Sequence, residues 1–394
     1  MEAQIFEWLN LLLRFLHVVT GIAWIGASFY FIWLDLSLEQ PSEEKAKRGL
    51  GGELWSIHGG GIYEVGKYKL SPAQMPETLH WFKWEAYSTW LTGTALMIVY
   101  YYWRADTQLI GAEGWLSSPT AGVLASIAYL LGGLALYEGF MRWRVNASFV
   151  TQMAAILVLL CFGSWLAFEL FSSRAAILHV GAMLGTIMAA NVFLVIIPSQ
   201  KSLVNAIDKG EPPDAAHAAL AKNRSTHNNY LTLPVLFCML SNHAPFVFGH
   251  PYAWILVAAI SASAMVARQF FNAKHTGNVQ PGYLIGPSIA LILIAIIAGA
   301  TANTNIALPD EPVDTVELQT IITKHCATCH SEMPTQPGFT APPGGHLFRT
   351  PEDIDKQAAL ALTSLQSNYM PLGNLTGMTQ EERAKLMAWA SRGE

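Results

Sequence analysis

The residues with the clearest chemistry form the short motif His325-Cys326-Ala327-Thr328-Cys329-His330. Two thiols separated by two residues can form thioether bonds with the vinyl groups of a haem, and the histidine that follows can bind the iron from one side. Cys-x-x-Cys pairs also occur in zinc sites and redox-active thiol proteins, but zinc requires a second ligand pair and thioredoxin-type motifs require a βαβ pattern. The sequence shows neither, so the motif predicts a covalent haem c held by Cys326, Cys329 and His330.

A haem held by one histidine has a second axial position, and the C-terminal sequence offers three methionines for it. Met370 precedes Pro371 in a polar turn, where an extended backbone can bring the thioether to the open face of the iron. Met333 lies close to the attachment motif, and Met378 follows in the next turn. We predict Met370 as the sixth ligand, with Met333 and Met378 as rivals. His/Met ligation raises the reduction potential, so this centre should accept electrons readily.

Helices must position these ligands. A first helix is predicted from about Asp314 to Lys324, and a short helix is predicted near 352–366 after a Pro/Gly-rich segment at 334–345. A closing helix begins at Thr379, which forms a capping box with Glu382. The residues expected to pack between the first and closing helices are Val316, Ile321, Ile322, Leu386 and Trp389. The pattern predicts a small class I-like cytochrome c domain over residues 314–394, after a linker at 302–313.

The composition places the rest of the chain in a membrane. Of the 394 residues, 52% are hydrophobic and 13% are charged, whereas soluble chains average about 25% charged residues. A transmembrane helix needs about 20 mostly apolar residues, and eight segments qualify: 8–34, 81–102, 120–140, 149–171, 175–198, 229–248, 251–270 and 281–301. We therefore predict an all-α, polytopic helical membrane bundle over residues 1–301, in contact with lipid. The net charge of −5 argues against nucleic acid as a partner.

The basic residues predict the orientation of the bundle. Alternate loops and helix entries carry 14 lysines and arginines on one side and only Arg14, Arg104 and Arg174 on the other. By the positive-inside rule the N-terminus lies outside, and eight spans return the C-terminal domain to the same side. Bacterial haem c attachment takes place in the periplasm, which agrees with this orientation. The expected location is the bacterial inner membrane, with the N-terminus and the cytochrome domain in the periplasm.

Histidines inside the predicted spans are candidates for further cofactors. His17, His179 and His243 lie toward the outer side, and His80 and His227 lie near the inner surface. A pair of neutral imidazoles from two helices can hold a haem b in a bundle. The outer group predicts one haem b and the inner group a second. The alternative is that these are buried, hydrogen-bonded histidines without a cofactor.

The first inner loop contains a candidate substrate pocket. Residues 53–70 alternate between apolar and polar types around three glycines, which predicts a small hairpin on the inner face. Aromatic and charged residues near it are the candidates for a pocket: Trp55, His58, Lys83 and Trp84. The alternative is an aromatic belt at the membrane interface.

Three stretches carry a resemblance to a known family: WSIHGGGIYEVGKY in the first inner loop, ETLHWFKWEAYSTWLTG entering the second span, and CATCH with NYMPLGNLTGMTQEER near the C-terminus. Together with the eight spans, the chain resembles the bacterial membrane-bound, cytochrome c-linked urate oxidase (urate hydroxylase) family over essentially its whole length. The resemblance implies oxidation of urate to 5-hydroxyisourate in purine degradation, without release of hydrogen peroxide. It also implies that electrons pass through the cytochrome domain to a periplasmic cytochrome or terminal oxidase. Cys326, Cys329, His330 and Met370 carry over as haem residues, and no catalytic residue of the membrane part does.

The reaction that the resemblance implies affects the interpretation of the histidines in the spans and of the residues near the hairpin. Hydroxylation of urate releases two electrons, whereas one haem iron accepts one at a time, so a second centre or two visits by an acceptor are needed. An anionic purine needs cationic or amide partners and an aromatic face, which the hairpin candidates offer. Two other functions remain open: a quinol–cytochrome c electron-transfer module with the quinone near His80 or His227, and a membrane anchor for an electron-shuttling cytochrome. Eight spans are more than an anchor requires.

Overall fold

The structure, a computed structural model, describes residues 2–72, 74–111, 114–301, 309, 312–336, 339 and 341–393. Most of the predicted linker at 302–313 lies outside the described residues. In chain order, the N-terminal part contains α1 (Glu2–Leu36), α2 (Glu43–Lys47), β1 (Leu50–His58), β2 (Gly61–Tyr68), α3 (Trp84–Leu96), α4 (Pro119–Trp143), α5 (Phe149–Leu170), α6 (Ser173–Ala190), α7 (Ile197–Asp208), α8 (Ala215–Leu240), α9 (Pro245–Phe248), α10 (Ala253–His275) and α11 (Gly282–Thr301).

Six helices of the described residues are long and apolar enough to cross a membrane. They are α1, α4, α5, α10, α11 and the continuous helix Ser173–Asp208 formed by α6 and α7. The remaining two predicted spans fall on helices outside this group, α3 and α8. α3 has only 13 residues before it continues in π-helical turns at Met97–Tyr102 and Ala105–Leu109. The first half of α8 is rich in amide and basic residues. Six of the eight predicted spans therefore coincide with helices that could cross a membrane, and the eight-span topology stays a prediction.

Helix α6 lies at the centre of the bundle. The side chain of Met183 in this helix packs where α4 and α5 each present a glycine. A Cβ added at Gly133 would lie 2.6 Å from the sulfur of Met183, and one added at Gly163 would lie 2.8 Å from its methyl carbon. Glycine at these positions lets the three helices approach closely, as small residues do in membrane bundles. By contrast α1 and α11 lie at the periphery, with most of their apolar surface exposed.

The predicted hairpin is confirmed, since β1 and β2 pair in antiparallel orientation. Gly59 and Gly60 form its turn with φ of 58° and 81°. A two-residue turn of this kind requires positive φ at both positions, and glycine adopts it without strain. Lys45 of α2 pairs with Glu53 on one strand and Glu64 on the other. This double ion pair ties α2 to the hairpin.

The hairpin and the N-terminus lie at opposite ends of α1. At the C-terminal end of the helix, Asp35 pairs with Lys67 of the hairpin and, at 2.9 Å, with Lys222 of α8. At its N-terminal end, the ring of Phe6 lies 6.3 Å from that of Tyr100. The hairpin therefore marks one end of the bundle and the π-helical turns after α3 mark the other.

Residues 312–393 form a second helical unit, called here the C-terminal unit. Its helices are α12 (Thr315–His325), α13 (Pro351–Lys356), α14 (Ala358–Gln366) and α15 (Gln380–Ala390). This unit has its own hydrophobic core, which includes Leu318, Ile321, Ile322 and Leu386. Ile321, Ile322 and Leu386 are among the residues that the sequence predicts to pack between the first and closing helices. The capping box of Thr379 and Glu382 is also confirmed. The prediction for Val316 is wrong, because this side chain lies on the outer face of α12 and is 72% exposed.

The C-terminal unit packs on the end of the bundle that is opposite to the hairpin. Its turn Leu372–Asn374 contacts the π-helical turn Ala105–Leu109. That turn follows Arg104, whose guanidinium lies 3.6 Å from the ring centroid of Phe6 near the N-terminus. The N-terminus and the C-terminal unit thus share one end of the bundle, as the predicted topology requires.

Candidate functional site

The Cys-x-x-Cys-His motif forms a tight turn at the end of α12. The helix starts at Asp314, whose carboxylate accepts a hydrogen bond from the Glu317 amide. After the helix, the Cys326 carbonyl accepts hydrogen bonds from the amides of Cys329, at 3.1 Å, and His330, at 2.8 Å. Both thiols are half-buried and neither forms a disulfide. These two hydrogen bonds therefore fix the backbone that carries the two thiols and the imidazole.

His330 is held in the orientation that a metal ligand needs. Its Nδ1–H donates to the carbonyl oxygen of His346 at 2.9 Å, and its own carbonyl accepts from the Phe348 amide at 2.9 Å. A histidine whose Nδ1–H is held by a carbonyl keeps Nε2 as the coordinating atom. Burial lowers the pKa of His330, against the opposing effect of the hydrogen bond, so the imidazole stays neutral, as a ligand must be. The residues present fit a haem c.

The cysteines do not have the properties of a redox-active pair. Burial raises the pKa of the Cys326 thiol to about 12, and it also raises the pKa of Cys329. Reactive cysteines instead have a lowered pKa, because the thiolate is the nucleophile. Among the residues that the structure describes, no group of three or more His, Cys, Asp or Glu side chains could hold a metal ion. The raised thiol pKa values therefore differ from those of a reactive thiol pair, and the haem c stays a prediction.

The loop that carries Met370 is fixed from within the C-terminal unit. The buried Arg383 donates from Nη1 to the carbonyl oxygens of Leu365, at 2.9 Å, and Met370, at 2.7 Å. The two rival methionines lie in different settings: Met333 is 84% exposed, whereas Met378 is part of the hydrophobic core. Met370 is half-buried between these extremes. The assignment of Met370 as the sixth ligand stays a prediction.

Glu382 joins the closing helix to the end of α12. Its carboxylate accepts from the Thr379 amide at 2.8 Å and from Lys324 Nζ at 2.9 Å, and it lies 3.3 Å from His325 Nε2. Partial burial by itself raises the pKa of this carboxyl, but the hydrogen bonds outweigh burial and lower the pKa from 4.5 to about 2. The charged carboxylate therefore stabilises the folded C-terminal unit.

Replacing Glu382 with Gln is expected to lower the melting temperature of the protein at neutral pH, because Lys324 and His325 lose their charged partner. Since the folded pKa lies below the ordinary value, this stabilisation is present above about pH 4.5 and is lost as the pH falls toward about 2. Melting curves of both proteins across this range check the effect. Glu381→Gln, at a side chain that is 78% exposed, is the control. If the melting temperature of E382Q stays below that of the wild type by the same amount down to pH 2, the lowered pKa of Glu382 is contradicted.

Two of the predicted haem b histidines use both ring nitrogens within the protein. His179 is fully buried, donates from Nδ1 to the Ala175 carbonyl and accepts from the Ser126 hydroxyl, each at 2.8 Å. His227 lies 2.7 Å from the Tyr137 hydroxyl through Nδ1 and 2.8 Å from Gln152 Oε1 through Nε2. In this structure both match the alternative of buried, hydrogen-bonded histidines.

The other three histidines differ from these. His17 donates from Nδ1 to the Thr89 carbonyl at 3.0 Å, the same pattern that His330 shows. His243 is exposed in the turn after α8, and His80 is exposed with its Nε2 3.9 Å from Glu85. His179 donates from Nδ1 to a carbonyl in the same way, but its Nε2 is already hydrogen-bonded to Ser126. A haem b stays a prediction.

A buried polar network lies in the half of the bundle near the hairpin. Arg224 Nη1 lies 3.1 Å from Glu138 Oε1, and its Nη2 lies 3.2 Å from Oε2, with both side chains largely buried. Nη1 also donates to Asn191, which hydrogen-bonds to Tyr137. The predicted spans 175–198 and 229–248 leave Arg224 in the loop between them, and that placement is wrong because α8 extends through it. The missed signal was Glu138, an acidic residue within a predicted apolar span.

The four candidate pocket residues are on the surface of the structure. Trp55 is 61% exposed and its ring lies 5.5 Å from Lys45 Nζ. His58 is exposed beside the hairpin turn. Lys83 is half-buried just before α3, and the exposed Trp84 packs against Tyr87 instead. Their grouping into one pocket stays a prediction.

Comparison with known proteins identifies the N-terminal part. The model of the urate oxidase N-terminal family matches residues 3–299, about three quarters of the chain. The chain belongs to this family. The match ends with α11 and leaves the C-terminal unit outside it. No curated protein and no solved structure matches the chain. The family connects the N-terminal bundle with urate, so the chain is related to oxidoreductases that act on urate.

Proposed function

We propose that this protein is a membrane-bound urate oxidase (urate hydroxylase) that passes electrons through a C-terminal haem c to the respiratory chain. The observation that carries the proposal is the family match over residues 3–299, joined in one chain to a Cys-x-x-Cys-His turn with ligand geometry at His330. In this proposal urate and water give 5-hydroxyisourate, two protons and two electrons. In this proposal the protein is located in the bacterial inner membrane, with the N-terminus and the C-terminal unit in the periplasm.

The residues of the C-terminal unit have separate tasks in this proposal. Cys326 and Cys329 would attach the haem covalently, and the His346 carbonyl orients His330 so that Nε2 is available as a ligand. Arg383 holds the loop of Met370, whose thioether would be a further ligand. A haem bound in this way supplies a one-electron acceptor of raised potential. Each urate therefore requires two successive transfers to the unit, and an external cytochrome or oxidase removes the electrons between them.

The substrate has two candidate environments. The exposed hairpin offers Trp55 and His58, and the start of α3 offers Lys83 and Trp84. These four residues suit an interfacial pocket. The buried network around Arg224 offers a guanidinium and amides in a low-dielectric setting, where hydrogen bonds to an anionic purine are stronger. A haem b at His17 would provide a second one-electron centre between the substrate and the C-terminal unit.

The test is anaerobic addition of urate to the oxidised, purified protein. We expect the α-band of reduced haem c to appear. In a second anaerobic assay with excess ferricyanide as the final one-electron acceptor, two ferricyanide ions should be reduced per urate consumed. A spectrum that stays oxidised with urate would refute the proposed function. Reduction by a quinol alone would instead identify a quinol–cytochrome c module. The same reduced-minus-oxidised spectrum reports whether a haem b accompanies the haem c.

Met370→Ala is expected to lower the reduction potential of the haem, because loss of the thioether removes the ligand that favours the reduced iron. A redox titration followed at the α-band measures the change. Met333→Ala is the matched control, since that side chain is exposed, and it should leave the potential unchanged. If Met370→Ala has no effect and Met378→Ala lowers the potential, Met378 is the ligand.

A further inference from the structure

The segment that carries Met370 is also the segment by which the C-terminal unit contacts the bundle. The rings of Phe248 and Tyr369 meet at 62° with their centroids 5.5 Å apart. Tyr369, the residue before Met370, packs against the main hydrophobic core of the bundle. The turn Leu372–Asn374 then contacts Ala105–Leu109. Residues 367–373, called here the docking segment, thus carry Met370 and also contact the bundle.

Gly249 permits the closest approach of the two surfaces. A Cβ added at this residue would lie 1.4 Å from the carbonyl oxygen of Ser367 and 2.5 Å from its carbonyl carbon. Both atoms belong to the backbone, so a side-chain rotation cannot relieve the clash. The φ of Gly249 is −83°, which any residue can adopt. Glycine is therefore required by the contact and not by the local conformation.

The docking segment is rigid on its other side. Arg383 binds the Leu365 and Met370 carbonyls, and the Ser367 hydroxyl donates to the Thr363 carbonyl at 2.7 Å. Phe248 is buried, as is Ser367. The docking segment is therefore held between the bundle at Gly249 and the hydrogen bonds of its own unit.

We propose that the docking segment is the surface through which the C-terminal unit receives electrons from the bundle, and that Gly249 is the positioning residue for this transfer. The inference rests on the proposed function. Urate is the reductant: it loses two electrons in the bundle as it gains a water-derived hydroxyl group, and two protons are released there. The electrons would cross the Phe248–Tyr369 contact one at a time, and a haem c held by the C-terminal unit would accept each of them before an external cytochrome or oxidase removes it.

Gly249→Ala tests the inference in the full-length, haem-loaded protein. The variant should separate the surfaces and slow the reduction of haem c by urate by roughly tenfold to a hundredfold, since small misplacements of reacting groups carry penalties of this order. Reduction by dithionite, which reaches the haem from solution, should stay unchanged. Hydrogen exchange should increase at residues 245–250 and 367–373. Gly139→Ala is the control, because a Cβ there meets open space.

The outcomes separate this inference from the proposed function. If urate fails to reduce the wild type, the proposed function is refuted, and hydrogen exchange still reports whether Gly249 sets the docking. If exchange increases in Gly249→Ala while reduction by urate keeps its rate, the docking segment is not the electron entry. Unchanged exchange also overturns the inference. Should Gly249→Ala fail to fold, Phe248→Leu removes the ring contact without overpacking and is expected to change both measurements in the same direction.

Discussion

Replacing Cys326 and Cys329 with serine is expected to abolish covalent haem attachment and, with it, all reduction of the protein by urate. Serine hydroxyls do not form thioethers with haem vinyl groups, and His330 alone does not retain the haem through denaturation. The measurement is peroxidase staining of the protein after denaturing electrophoresis, followed by the anaerobic urate assay. This is the largest functional effect that the structure predicts.

The chain contains its own control for this experiment. Cys161 lies half-buried in α5, far from the attachment turn in the chain. Cys161→Ser should keep full haem staining and full reduction by urate. Staining that survives in the double variant Cys326→Ser/Cys329→Ser would contradict the assignment of the motif.

Replacing Arg224 with alanine is expected to give the largest loss of stability. Both oxygens of the Glu138 carboxylate face the Arg224 guanidinium at 3.1–3.2 Å, and only 4% of the Arg224 side chain is exposed. Removing one partner of a buried ion pair leaves an uncompensated charge, which costs about 3–5 kcal/mol. Thermal unfolding of the detergent-solubilised protein, followed by tryptophan fluorescence, measures the change.

Arg142 is the matched control, because it contacts the same carboxylate. Its Nε lies 3.3 Å from Glu138 Oε2, but 72% of its side chain is exposed. Exposed pairs contribute about 0–1 kcal/mol, so Arg142→Ala should change the melting temperature little. The double variant Glu138→Gln/Arg224→Gln should be more stable than Arg224→Ala, since it leaves no unpaired charge in the buried site. Equal destabilisation by both arginine variants would refute the buried pair.

Several features were predictable from the sequence because they depend on short stretches of chain. The Cys-x-x-Cys-His motif lies within six residues, so its turn is local, whereas the haem c that it indicates stays a prediction. Five of the six spans were found within about five residues of their ends, since length and apolar composition define them; the sixth was predicted to end at 198 but continues to Asp208. The hairpin and the capping box of Thr379 likewise depend on neighbours in the chain. The link with urate came from a resemblance and agrees with the family match.

Other features depend on residues that are distant in the chain. The hydrogen bond that orients His330 joins positions 16 apart, and the Glu138–Arg224 pair joins positions 86 apart. Arg224 looked like a loop residue because its neighbours are polar, yet burial in the bundle gives it a different role. A count of basic residues does not distinguish a solvated charge from a paired, buried one.

The sequence by itself determined which residues can attach a haem and which segments can enter a membrane, because both follow from local composition. The tertiary structure alone decided how these parts meet. It brought Tyr369, beside Met370, against Phe248, and it required glycine at position 249 because a backbone carbonyl occupies the space of a side chain. Such contacts are set by the packing of whole helices, and local sequence does not encode them.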